Sequence, residues 1–86
     1  MTLDLRTASL VAVGASITAN CQPCLEINVV RALKNGADPQ DVADAVEIGR
    51  KVRAGAGSKV DKFAATLDIP AVASRAVLNA KCDCGL

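Results

Sequence analysis

The chain has 86 residues, enough for one small domain, and ten Lys and Arg against nine Asp and Glu leave a net charge of +1. With no basic run and a single aromatic, Phe63, it lacks both the phosphate-tracking surface and the stacking platform of a nucleic-acid binder. Apolar residues make up 51% of the chain, but the core must be built from Ala, Val, Leu and Ile. Such a monomer has a thin core and apolar positions left over, so a homo-oligomer is expected.

The uncharged stretch from Thr7 to Leu25 contains Ser, Thr, Asn, Gln and two Cys and has no basic flank. It reads as a buried helix, not as a membrane span or signal peptide. The expected compartment is therefore the reducing cytoplasm, where four cysteines point to catalysis or metal binding before structural cross-links.

Asp4 caps a first predicted helix running to about Ala19, with Leu10, Val13, Gly14 and Ile17 on one face and an alanine stripe, Ala8 to Ala19, on another. Asn20 suits the break that follows. Pro23 falls in the first turn of a second helix, where its missing N–H costs nothing. Apolar positions on more than one side of that helix (Leu25, Val29, Ala32 and Leu33; Ile27 and Val30) mark it as the central one. Gly36 is a stop, and Asp38 with Pro39 restarts the chain, with Ala37 stapled against Val42. Val42, Ala45, Val46, Gly49 and Val52 mark a third helix. Ala54-Gly55-Ala56-Gly57-Ser58 is a weak point that either kinks it or separates it from a fourth helix over Lys59 to Leu67. A last helix is expected from Pro70 to about Ala80. No alternating run long enough for a strand appears, so the fold class is all-α: a single helical domain over residues 1–80 with a cysteine-bearing tail over 81–86.

Cys21-Gln22-Pro23-Cys24 opens the second helix. Two thiols one turn apart can close a reversible disulfide, and a helix N-terminus stabilises a thiolate through its dipole and free N–H groups. Redox chemistry is therefore the first reading. A plainer one treats the pair as two small hydrophobes at a helix start. A metal reading takes Cys21, Cys24, Cys82 and Cys84 as a tetrahedral set, although a CxC half is unusual in such sites. Cys82 and Cys84 otherwise serve as resolving or relay thiols carried on the tail, or are incidental. Glu47 and Lys51 form an exposed i,i+4 pair, and Arg50 and Arg53 read as surface or interface residues. Nothing resembles a flavin or nicotinamide site, so no cofactor is expected.

The stretches Leu10-Val11-Ala12-Val13-Gly14-Ala15, Asn20-Cys21-Gln22-Pro23-Cys24-Leu25-Glu26-Ile27-Asn28, Ala32-Leu33-Lys34-Asn35-Gly36-Ala37 and Glu47-Ile48-Gly49-Arg50-Lys51-Val52-Arg53-Ala54-Gly55-Ala56 resemble, in that order, the alkylhydroperoxidase D-like branch of the carboxymuconolactone decarboxylase superfamily. The resemblance implies a small helical bundle assembled into dimers, trimers or hexamers. It also implies thiol-dependent reduction of a peroxide or disulfide, with electrons from a separate thiol reductant. Cys24 aligns with the family's peroxide-attacking thiol and Cys21 with its partner. The family's motif histidine, four residues after the second cysteine, is Asn28 here, and its upstream glutamate falls on Ser9. Asn can orient a thiol or water but does not exchange protons near neutral pH. Thiol–disulfide exchange, which needs no dedicated base, is thus favoured over peroxidase chemistry, and the lost histidine also leaves open a catalytically inactive helical oligomer of the same family.

Overall fold

The computed structural model of the chain describes residues 1–74, which form four helices and no strand. Helix α1 spans Leu5–Thr18, α2 Gln22–Lys34, α3 Pro39–Thr66 and α4 Ile69–Ser74. None of the described helices is long and apolar enough to cross a membrane. The expected all-helical bundle is what the chain forms.

Local chemistry sets each boundary. The Asp4 carboxylate accepts the Thr7 N–H at 2.7 Å, which occupies one of the orphan donors of the first turn. That backbone hydrogen bond is also the main reason its carboxyl is held below its ordinary value. The cap's contribution is therefore complete above the ordinary carboxylate range and fades as the pH falls through the lowered value. At the other end of α1, Asn20 takes a left-handed φ of 57°, a conformation Asn tolerates better than most side chains. The Cys21 N–H reaches back to the Ser16 carbonyl at 3.0 Å and the Asn20 N–H to that of Ile17 at 3.1 Å. These two bonds are the paired closure of a Schellman turn.

The same device recurs at the end of α2. Gly36 sits at φ 86°, the Ala37 N–H bonds to the Ala32 carbonyl at 2.9 Å and the Gly36 N–H to that of Leu33 at 3.2 Å. Asp38 then caps α3 by accepting the Gln40 N–H at 2.7 Å, with Pro39 as its first residue. Each hinge is short and hydrogen-bonded, so α1, α2 and the first half of α3 fold back on one another.

Among the described residues the buried hydrophobics are few: Val13, Ala32, Ala37 and Val42, with Leu10, Leu25, Val29, Ala45 and Val46 packed around them. Helix α1 lies in the middle, packed along both α2 and α3, whereas α2 barely meets α3. That corrects the expectation of a central α2. Its second apolar face, Ile27 and Val30, is left outside, and Leu33 of its main face is exposed as well, while the small-residue surface of α1 admits a neighbour on each side.

The closest approach is at Gly14 and Gly49. A Cβ on Gly49 would lie 2.9 Å from the Ile17 Cβ and nearer still to the Gly14 carbonyl oxygen. Thr18 locks the crossing, its hydroxyl lying 3.1 Å from the carbonyl oxygens of both Gly14 and Gly49.

Beyond Arg53, α3 runs on with every side chain exposed. The weak point at Ala54–Ser58 neither ends nor splits the helix, which continues through Gly55 and Gly57 as one element of 28 residues. Glycine costs a helix interior roughly 1 kcal/mol relative to alanine, and with no proline in the segment and no competing cap that penalty is tolerated. The expected fourth helix is thus the distal half of α3. The expected last helix is present as α4 as far as Ser74, and its remainder, like the tail with Cys82 and Cys84, lies outside the described residues.

Candidate active site

Cys21 and Cys24 are joined in a disulfide, their Cα atoms 5.2 Å apart. Cys21 has two structural duties: it closes the Schellman turn of α1 through its N–H and is the N-cap of α2 through its side chain. Its backbone is therefore fixed from both directions. The Cys24 amide donates to the Cys21 Sγ at 3.3 Å, the place a Ser or Asp oxygen occupies in an ordinary N-cap. The two sulfurs differ in access, Cys21 being half-buried and Cys24 exposed. In the dithiol, an aligned N–H and the positive end of α2 favour negative charge on the Cys21 sulfur.

Asn28, one turn beyond Cys24, is tied to α1. Its Nδ2 donates to the Ser16 hydroxyl at 3.0 Å, and that hydroxyl donates onward to the Ala12 carbonyl at 2.7 Å. Ser16 is the one buried polar residue among the described residues, and its carbonyl is also the acceptor of the Cys21 N–H. One residue of α1 thus holds the backbone of the first cysteine and the Asn28 side chain. Sequence reading missed it, because the aligned position, Ser9, drew attention instead. Ser9 is seven residues away, about 10 Å along the axis, and accepts from Asn35 at 2.9 Å. The available signal was the five-residue step from Ser16 to Cys21, the span of the turn's longer bond. Ser16→Ala should cost about 1–2 kcal/mol by leaving the Asn28 amide without its buried acceptor. Urea unfolding measures this, and an unchanged midpoint would show that water replaces the hydroxyl.

Arg53, read from the sequence as a surface or interface residue, is exposed and also bridges α3 to the turn that carries Cys21. Its Nη1 donates to the Ile17 carbonyl at 3.3 Å and to the Asn20 Oδ1 at 3.1 Å. A cleft of about 260 Å³ opens between α3 and this turn, lined by Ile17, Asn20, Cys21, Gln22, Leu25 and Arg53 along with Ser16. No group of three or more metal-ligating side chains occurs among the described residues. A four-cysteine site would need Cys82 and Cys84, which lie outside them.

The profile of the carboxymuconolactone decarboxylase family matches residues 2–68, a span that includes the disulfide, Ser16, Asn28 and Arg53. The chain belongs to that family. A curated relative in Paracoccus denitrificans, named "Uncharacterized protein 4 in cox locus", is 34% identical over 67 residues, covering 77% of this chain and 60% of its own length. The chain therefore spans less than two thirds of that relative. No solved structure matches significantly. Membership agrees with the small helical bundle, and the Cys21–Cys24 pair on its hydrogen-bonded turn at the start of α2 fits a CxxC redox module.

Proposed function

We propose that this family member is a thiol–disulfide oxidoreductase, its Cys21–Cys24 pair cycling between dithiol and disulfide. The observation that carries this reading is the Cys24 amide aimed at the Cys21 Sγ at the N-cap of α2. A thiolate favoured there attacks a disulfide R–S–S–R′, forming a Cys21–S–S–R bond and expelling R′S⁻. The Cys24 thiol, deprotonated to solvent, attacks the Cys21 sulfur and releases RS⁻. Two electrons leave the protein, the substrate becomes two thiols, and Cys21 and Cys24 are joined. A separate thiol reductant reverses the last two steps. We place this cycle in the reducing cytoplasm, where small thiols are abundant.

Hydroperoxide reduction is the slower use of the same pair. Thiolate attack on the O–O bond gives a sulfenic acid and an alkoxide that needs a proton, and neither Asn28 nor Ser16 titrates near neutrality. The second thiol would then displace water from the sulfenic acid to close the disulfide.

The test is stoichiometric. Reduced protein mixed with 2-hydroxyethyl disulfide should lose the Cys21 and Cys24 thiols together and release two mercaptoethanol molecules per disulfide consumed. Peptide mapping locates the new bond, and excess dithiothreitol should restore both thiols. A pair that stays reduced throughout would end this reading.

The protein acts as a homo-oligomer in the same proposal. Val52, Val60, Phe63, Leu67 and Ile69 are all exposed on or just after α3. A solitary helix end of this kind is poorly stable in water, since helices depend on packing for most of their stability. A second copy covers the distal half of α3. Sedimentation equilibrium at micromolar concentration should return a multiple of 8.8 kDa, and a single-chain mass would refute the assembly. Phe63→Glu should shift the distribution to the monomer.

A further inference from the structure

We propose that the cleft beside Cys21 binds a low-molecular-weight thiol, or its disulfide, that carries a carboxylate, with Arg53 gripping the carboxylate while Cys21 meets the sulfur. The inference rests on the exchange chemistry proposed above and names the substrate class for that site.

Three features converge. First, Arg53 is already oriented. Its two Nη1 hydrogens are used on Ile17 and Asn20, which leaves the Nε and Nη2 edge of the guanidinium without a hydrogen-bond partner among the described residues. That edge is the fork that takes both oxygens of a carboxylate. Second, Arg53 is the one charged residue lining the cleft, and the α2 N-terminus adds positive potential at Cys21. No acidic side chain lines this cleft, Glu47 lying instead in the adjoining groove that Arg53 shares with Arg50 and Lys51, and Asn20 and Gln22 offer further amide donors. Third, the volume of about 260 Å³ lies below the range of drug-sized ligand sites. It suits a compact molecule with a sulfur and an acid a few bonds apart.

The anchored arginine explains the selectivity physically. The turn bonds fix one half of the guanidinium, so little side-chain entropy remains to be lost when a carboxylate docks on the other half. A lysine would keep the charge but lose both the fork and the anchor.

The experiment compares three symmetrical disulfides against reduced protein: 3,3′-dithiodipropionate with two carboxylates, neutral 2-hydroxyethyl disulfide, and cystamine with two ammonium groups. Each rate is divided by that of the same disulfide with free dithiothreitol, which removes intrinsic reactivity. The normalised rates should fall in that order, with the dianion about tenfold or more above the neutral compound. Arg53→Gln should reduce the ratio of dianion to neutral rate by about tenfold, and Arg53→Lys should restore only part of it. Equal normalised rates in the wild type, or a ratio unmoved by Arg53→Gln, would overturn the proposal while leaving the exchange reading intact. If no disulfide reacts, the exchange reading fails, and calorimetric titration of 3,3′-dithiodipropionate into the oxidised protein decides the rest. Binding that Arg53→Gln weakens about tenfold would support the carboxylate site, and absence of binding would overturn it.

Discussion

Reduced Cys24→Ser protein mixed with a small disulfide should accumulate about one mixed disulfide per chain, located at Cys21 and persistent, because the thiol that would release it is gone. Cys21→Ser should form its adduct at Cys24 about tenfold more slowly, since Cys24 lacks the aimed N–H that Cys21 receives and its thiolate is correspondingly less favoured. Changing Cys82 and Cys84 to Ser in both variants keeps the tail from contributing. Mass spectrometry of rapidly acidified samples measures both outcomes. The expectation divides two physical effects, because Cys24 is the more exposed sulfur and Cys21 the better supported one. The family likeness assigns the first attack on peroxide to Cys24, and faster trapping there would mean that access outweighs thiolate stabilisation. Restoring a base tests the same site from the other side. Asn28→His should raise peroxide turnover while changing disulfide exchange little, because only the first reaction lacks a proton donor.

Gly49→Ala and Gly57→Ala should shift stability in opposite directions, although each adds the same methyl to the same helix. At Gly49 the new Cβ meets the Gly14 backbone oxygen and the Ile17 Cβ at 2.9 Å, and backbone cannot swing aside as a flexible side chain would. The helices must part, weakening the Thr18 bonds and loosening the packing around Val13. Overpacking of this kind costs about 1–3 kcal/mol, of which improved helix propensity returns up to about 1 kcal/mol. At Gly57 nothing of the same chain lies within 4 Å, so within one copy only the propensity gain remains, about 1 kcal/mol. For a domain this small, each kcal/mol shifts the melting temperature by roughly 4–8 °C. Thermal unfolding monitored by helical circular dichroism should therefore place Gly49→Ala below and Gly57→Ala above the wild type. A stabilised Gly49→Ala would contradict the close crossing of α1 and α3.

The helix boundaries were legible because their causes are local. Asp4, Asp38 with Pro39, Asn20 and Gly36 each act within a few residues of themselves, and all four do in the structure what their residue types imply. The cysteine pair was legible for the same reason, since a three-residue step on a helix is a distance. Ser16 and Arg53 were not. Ser16 reaches Asn28 across twelve positions of sequence and Arg53 reaches Ile17 across thirty-six. Nothing in a serine's or an arginine's neighbours signals a partner that far away. The two glycines of Ala54–Ser58 misled in the opposite sense, because local propensity weakened a helix that its continuous hydrogen-bond ladder nevertheless carried through.

By itself the sequence determined the caps and turns that bound α1, α2 and the start of α3, and which two sulfurs share a turn of helix, all consequences of backbone geometry acting over a few residues. Only the tertiary structure decided that α1 lies at the centre, that two glycines let α3 close upon it, and that a serine and an arginine converge on Cys21. The reason is that packing between helices depends on which faces meet. Local spacing restricts that choice, and the shapes of the surfaces brought together make it.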